Sequence, residues 1–161
     1  MRNVSTVVII KKRSKAQGGR VKGFSVCLVH GLLFQEMSSI EDIAQKLVTN
    51  YYAAFDTNRA SLQGLYTPQS QLQFETNVFT GPDAILQKLT SLPFVTVNHA
   101  ITTVDSQMTP DSGLLIMVVG QLKTDNDPVH PFTEVFYCKQ IGDSLFITNQ
   151  VFRLNLHHSA A

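Results

Sequence analysis

The side chains best placed to do chemistry in this sequence are carboxylates next to apolar or turn residues. Glu75 directly follows Phe74, and Asp125 and Asp127 sit two apart in a turn that ends at Pro128. In a loop, two such aspartates can face one cation, whereas a regular strand would send them to opposite faces. Asp125-Asn126-Asp127 also opens like a calcium loop, but there is no glycine for its sharp turn and the twelfth position is Phe136, not glutamate. No metal is expected there. The sequence has no Gly-rich phosphate loop, no Gly-x-Ser-x-Gly elbow and no Cys-x-x-Cys pair, so no cofactor is expected either. Cys27 and Cys138 fall in different parts of the chain, and Cys138 lies in an apolar run that suits a buried free thiol. His99 alternates in phase with Val97 and Ile101 and should face an apolar layer. Asp56 reads as a helix-end residue, and His157-His158 as a solvated tail.

The elements that must position these residues begin near Met37. Ser38-Ser39-Ile40-Glu41 has the form of a capping box, in which a serine caps a helix and a glutamate three residues on reaches back. Ile40, Ile43, Ala44, Leu47, Val48, Tyr51, Tyr52 and Phe55 then recur in steps of three and one, which predicts a one-sided helix over about 39–55. Tyr51 and Tyr52 on that stripe read as core or cavity wall. A short second helix should carry Leu62, Leu65 and Tyr66 and stop at Pro68. A third should start at Gly81-Pro82-Asp83 with Ile85, Leu86 and Leu89 inward. Beyond it the period falls to two. Strands are expected at 71–76, 94–105, 113–123, 131–140 and 144–156, with turn residues between them. This is an α+β layout, with helices covering one face of a curved antiparallel sheet.

One strand is too apolar for a sheet with a wet face. Leu114-Leu115-Ile116-Met117-Val118-Val119 is hydrophobic on both sides. A second copy packed about a two-fold axis would cover it, and the alternative is a tightly curled sheet. A homodimer is expected, with Met117 and Val151 in the interface and His99 as a hydrogen-bonded histidine of the same sheet.

Charge divides the chain. Residues 1–36 hold seven basic side chains and one acid, whereas 37–161 hold six basic and eleven acidic, a net of −5. An acidic domain argues against nucleic acid and suits a basic protein partner. No apolar stretch reaches the roughly 18 residues a membrane-spanning helix needs. Residues 1–36 are expected to be a disordered basic extension outside the domain. A nuclear localisation signal at Lys11–Lys15, an organelle transit peptide and a signal-peptide core at Phe24–Phe34 are the competing readings.

Several stretches of the domain are similar to one family. They are YYAAFDTNRASLQGLY at 51–66, KLTSLPF at 88–94, ITTVDSQMTPDSG at 101–113, MVVGQL at 117–122 and NQVFRLNL at 149–156. From Met37 onward the chain resembles the nuclear transport factor 2 family, without gaps, over about 125 residues. The resemblance implies a cone-shaped fold of three helices on a curved sheet, dimerising through that sheet, with no enzymatic activity. It implies a carrier that binds GDP-bound Ran and Phe-Gly nucleoporins and works in the cytoplasm, in the nucleus and at the nuclear pore. On that resemblance an apolar cavity receives an aromatic side chain of Ran. Phe74 falls at its mouth, and Glu75, Asp125 and Asp127 are the acidic partners of Ran's basic residues. Leu92, Phe94, Val97, Phe132 and Phe152 would line the cavity. Ile40 falls where many members carry Trp or Phe as a platform for nucleoporin phenylalanines, so that contact loses its ring.

The same fold also houses enzymes, so a small-molecule lyase or isomerase using the cavity is the alternative. A lining of aromatic and aliphatic side chains alone would favour the carrier, and a buried aspartate or histidine the enzyme.

Overall fold

A computed structural model describes residues 39–156. The basic extension, Met37-Ser38 and His157-His158 lie outside those residues. Helix α1 spans Ile40–Thr57 and is followed by a short 3-10 helix, Arg59–Leu65, and later by α2, Pro82–Thr90. The strands are β1 (Tyr66–Phe74), β2 (Asn77–Thr80), β3 (Val97–Met108), β4 (Leu114–Thr124), β5 (His130–Ile141) and β6 (Ser144–Leu154). They form one six-stranded sheet in the order β2-β1-β6-β5-β4-β3.

The capping box is real but shifted by one residue. Ser39 Oγ accepts the Asp42 amide at 3.1 Å, and Asp42 Oδ2 accepts the Ser39 amide at 3.1 Å. Both serines have an acid three positions on, and the helix starts where its stripe can meet the sheet. Ala44, Val48, Tyr51, Tyr52 and Phe55 then form the buried face of α1.

Two differences from the expected layout have local causes. The second helix ends before Tyr66, which opens β1 instead. Pro68 sits in the irregular stretch of the β1–β6 pairing between Tyr66 and Gln71, where its missing N–H breaks no regular ladder. The β1–β6 pair is also parallel, so the sheet is mixed rather than wholly antiparallel. Strand β2, absent from the sequence reading, pairs with β1 through a tight turn that places Glu75 at φ 57. The turn lacks the Asn-Gly or Asp-Gly pair that normally announces such a hairpin.

Strand β4 alternates cleanly. Leu114, Ile116, Val118, Gly120 and Leu122 face the helices, whereas Leu115 and Met117 are 37% and 42% exposed on the other side. Met117 pairs with Val135, and Val135 with Val151, which is itself 40% exposed. An uncovered apolar row therefore crosses three strands, as the two-sided hydrophobicity of 114–119 requires. Gly120 is needed for close approach. A Cβ there would stand 2.8 Å from the Ala100 carbonyl and 2.9 Å from the Phe132 ring.

His99 is the clearest correction. It belongs to the helix-facing side of β3, not to the open face that carries Met117 and Val151. Its register partner is the buried Leu122, and the irregularity between Ile101 and Thr103 shifts the alternation only beyond that point. Its side chain is 2% exposed.

Candidate functional site: the cavity between the helices and the sheet

Helix α1, the segment after α2 and the inner sheet face do not close completely. They leave a cavity of about 320 Å³. Tyr51, Tyr52 and Phe55 reach it from α1, Leu92, Pro93 and Phe94 from the segment after α2, and Phe74 and Phe152 from neighbouring strands. Phe74 is half-buried and stacks on Phe152 with ring centres 4.7 Å apart, while the Lys88 ammonium lies 4.7 Å from the Phe74 ring centre. Of the expected lining residues, Leu92, Phe94, Val97 and Phe152 are at the wall. Phe132 is not. It is fully buried behind the wall, against His99 and Phe152.

The polar part of this site was only partly foreseen. Glu134 is buried in the same wall. Its carboxylate accepts the Tyr52 hydroxyl at 2.6 Å and the Gln150 amide at 2.5 Å. Gln150 also donates to the Tyr51 hydroxyl at 2.7 Å and accepts from the Tyr66 hydroxyl at 2.8 Å. Burial pushes the Glu134 carboxyl above its ordinary range, against the opposing pull of those hydrogen bonds and of nearby His99. Burial also pushes the Tyr52 hydroxyl far up, with the Glu134 charge adding to it. The signal was the phase of β5, in which Phe132, Glu134, Phe136 and Cys138 share the inward side. Cys138 is a buried thiol, pushed up to about 12 by that burial.

At the other end, His99 Nδ1 lies 2.5 Å from Asp56 Oδ1, and the His99 amide donates to Asp56 Oδ2 at 3.1 Å. Asp56, near the end of α1, thus fixes both the backbone and the ring of His99. The cavity contains a buried histidine and a buried glutamate, so its lining is not purely aromatic and aliphatic. Among the described residues, no group of three or more His, Cys, Asp or Glu side chains could hold a metal ion.

The acidic residues expected to meet a partner are engaged within the chain. Glu75 accepts the Leu154 amide at 2.7 Å and lies 3.2 Å from Arg153 Nη1. Asp125, at φ 42, turns back on the 95–96 backbone, accepting from the Thr96 amide at 2.7 Å, the Thr96 hydroxyl at 2.9 Å and the Val95 amide at 3.2 Å. Asp127 accepts the Thr124 hydroxyl at 3.1 Å and lines the cavity. The two aspartates therefore do not act alike. Asp125 fastens the segment that carries Phe94, and Asp127 lines the cavity. Arg59 fastens that segment too, with its guanidinium 4.4 Å from the Phe94 ring centre and 5.2 Å from that of Phe55. Ile40, the first residue of α1, is half-buried against the core and offers only aliphatic surface.

The amides of Thr96 and Val95 hold the Asp125 carboxyl below its ordinary range. A carboxylate lowered in the folded state stabilises the fold above its unfolded pKa, and that contribution is lost as pH falls through the lowered value. Asp125→Asn should therefore melt a few degrees below the parent at neutral pH, and the gap should close in acid. Equal melting temperatures at pH 7 would show that Asp125 clamps nothing.

Residues 43–154 match the family described as the nuclear transport factor 2 (NTF2) domain. Nuclear transport factor 2 of Emericella nidulans is 43% identical over 122 residues, covering 73% of this chain and 97% of that protein. The Saccharomyces cerevisiae protein of the same name is 41% identical over 115 residues, covering 70% and 92%. The structure of nuclear transport factor 2 from Cryptosporidium parvum superposes with a TM-score of 0.69 at 38% identity, over 72% of this chain and 94% of that one. A hexachlorocyclohexane dehydrochlorinase superposes with a TM-score of 0.64 at 10% identity, over 72% of this chain and 86% of that one, a likeness of fold alone. With its matched residues running from inside α1 to the end of β6, the chain belongs to the nuclear transport factor 2 family.

Proposed function

We propose that this protein is a nuclear transport carrier that binds Ran in its GDP state and Phe-Gly nucleoporins, acts as a homodimer and moves between cytoplasm, pore and nucleus. Family membership carries this reading, through full-length relatives named for nuclear transport at 41–43% identity. The geometry supports it. An apolar cavity with half-buried Phe74 in its wall suits an inserted aromatic side chain, and Asp127 beside it suits a basic one. Glu75 and Asp125 contribute through the residues they fasten as well as through charge. Of the expected nucleoporin contacts, Ile40 supplies apolar area without a stacking surface. Nothing here calls for a membrane, since no described helix is long and apolar enough to cross one, or for nucleic acid, since residues 39–156 hold eleven acidic and six basic side chains.

A pull-down with Ran loaded with GDP or with a GTP analogue tests the reading, and capture should be confined to the GDP form. Phe74→Ala should weaken that capture by at least ~30-fold, the equivalent of about 2 kcal/mol for a central interface aromatic. Undiminished binding by the folded variant would remove Phe74 from the site.

The lyase or isomerase reading has one observation in its favour, an ionisable His99 in the cavity wall, held by Asp56. Against it, each Glu134 oxygen already accepts a hydrogen bond, one from Tyr52 and one from Gln150, which ties that carboxylate into the wall as a structural anchor. We read the protein as a carrier and not an enzyme.

A further inference from the structure

The wall residue Phe94 needs a hold that its own segment does not provide. Residues 91–96 join α2 to β3 without helix or strand, and Leu92, Pro93 and Phe94 form part of the cavity wall from there. Asp125 fixes the backbone of this segment at Val95 and Thr96 and acts on the chain rather than on the Phe94 ring. A half-buried ring beside a space lined by Leu89, Leu92 and Phe152 lowers its free energy by turning into that space. The cavity stays open only if something holds the ring back.

Arg59 is the side chain in place to do so. It stands behind the wall, in a shallow groove shared with Asp56, Thr90 and Val95. Its guanidinium rests over the Phe94 ring, 4.4 Å from the ring centre, and over the Phe55 ring at 5.2 Å. Its Nε donates to the Phe55 carbonyl at 3.3 Å and its Nη1 to the Leu89 carbonyl at 3.4 Å. Those carbonyls lie in the last turns of α1 and α2, where a helix supplies no partner of its own. One planar cation thus ties two helix ends to one ring of the irregular segment. Both hydrogen bonds are long, so the stack supplies most of the hold on Phe94. Lysine, a point charge without a flat face, is not its equivalent.

We propose that Arg59 is a positioning residue for the cavity, which stacks Phe94 back into the wall and so prevents the ring from filling the space that a partner's side chain would enter. Arg59 acts through Phe94 and not by touching the partner. The effect on partner binding rests on the carrier reading, whereas the hold on Phe94 does not.

The test uses the full chain and two measurements. Arg59→Met keeps the stem and removes the flat cation. In NMR spectra of this variant, NOEs from the Phe94 ring to Tyr52 and Phe152 of the cavity wall should strengthen. GDP-Ran capture should weaken by ~10-fold, but by no more than ~2-fold once Phe94→Ala has removed the ring, the mark of two residues acting as a unit. Arg59→Lys should lose nearly as much as Arg59→Met, and it carries both measurements if the methionine variant does not fold. NOEs that stay at parent strength overturn the proposal. So does an Arg59→Met loss that is equal with and without the Phe94 ring, which would make Arg59 a helix-end clamp or a direct partner contact. A parent that captures no GDP-Ran defeats the carrier reading alone, and the NOEs then decide the hold on Phe94 by themselves.

Discussion

Met117→Glu should leave the domain folded and turn a dimer into monomers. Met117 is the centre of the outer row that runs through Val135 to Val151, and its side chain points away from the core, 42% exposed. A glutamate there is solvated in the monomer and costs the fold little. In a face-to-face pair it would be desolvated among Leu115, Val135 and Val151, with Asp105 opposite it on β3 adding a like charge. An unpaired charge buried in this way costs about 3–5 kcal/mol, or roughly 10²–10⁴ in the dimer constant. Sedimentation velocity at micromolar concentration should show the parent as a dimer and the variant at half the mass, with unchanged circular dichroism. A parent that already sediments as a monomer defeats the dimer proposal, and a variant that unfolds would mean Met117 belongs to the core.

The layout was legible in the sequence because its strongest elements are periodic over many residues. The three-and-one stripe of α1 and the alternation of β4 to β6 need no tertiary context, so their placement and the uncovered face of 114–119 could be read directly. What was not legible depended on contacts distant in sequence. Asp56 and His99 lie 43 residues apart, and nothing local says that a helix-end aspartate receives a strand histidine. The alternation of β3 placed His99 correctly in phase with Val97, but phase alone does not say which side faces the helices. Strand β2 was missed because Glu75 adopts a left-handed turn conformation that sequence assigns to Gly, Asn or Asp. The roles of the acidic residues were legible as charge and not as structure. Asp125 lies 29 residues from the Thr96 amide that it holds.

Gln150→Leu should be among the most destabilising single changes in the domain, because Gln150 satisfies three buried groups at once. Its amide nitrogen donates to Glu134 and Tyr51, and its carbonyl accepts from Tyr66. Leucine of similar volume keeps the packing and supplies none of these bonds. Glu134 is left with Tyr52 as its single donor, and removing a partner of a buried charge costs about 3–5 kcal/mol, a large share of the 5–15 kcal/mol a domain commonly holds. The loss should depend on pH in a definite direction. Burial already raises the Glu134 carboxyl in the fold, and removing a donor raises it further. A carboxyl raised on folding favours the folded state most fully below its unfolded pKa, and that contribution disappears as pH rises through the folded value. The stability gap between parent and Gln150→Leu should therefore be wider at pH 8 than at pH 5, the same direction as for Asp125→Asn, since in each case the parent's advantage is largest where its carboxylate is ionised. Urea unfolding at the two pH values measures both gaps. A loss below about 1 kcal/mol at pH 8 would mean that Gln150 contributes no more than one ordinary hydrogen bond. A large loss that is equal at both pH values would place the damage in the tyrosine contacts rather than at the Glu134 charge.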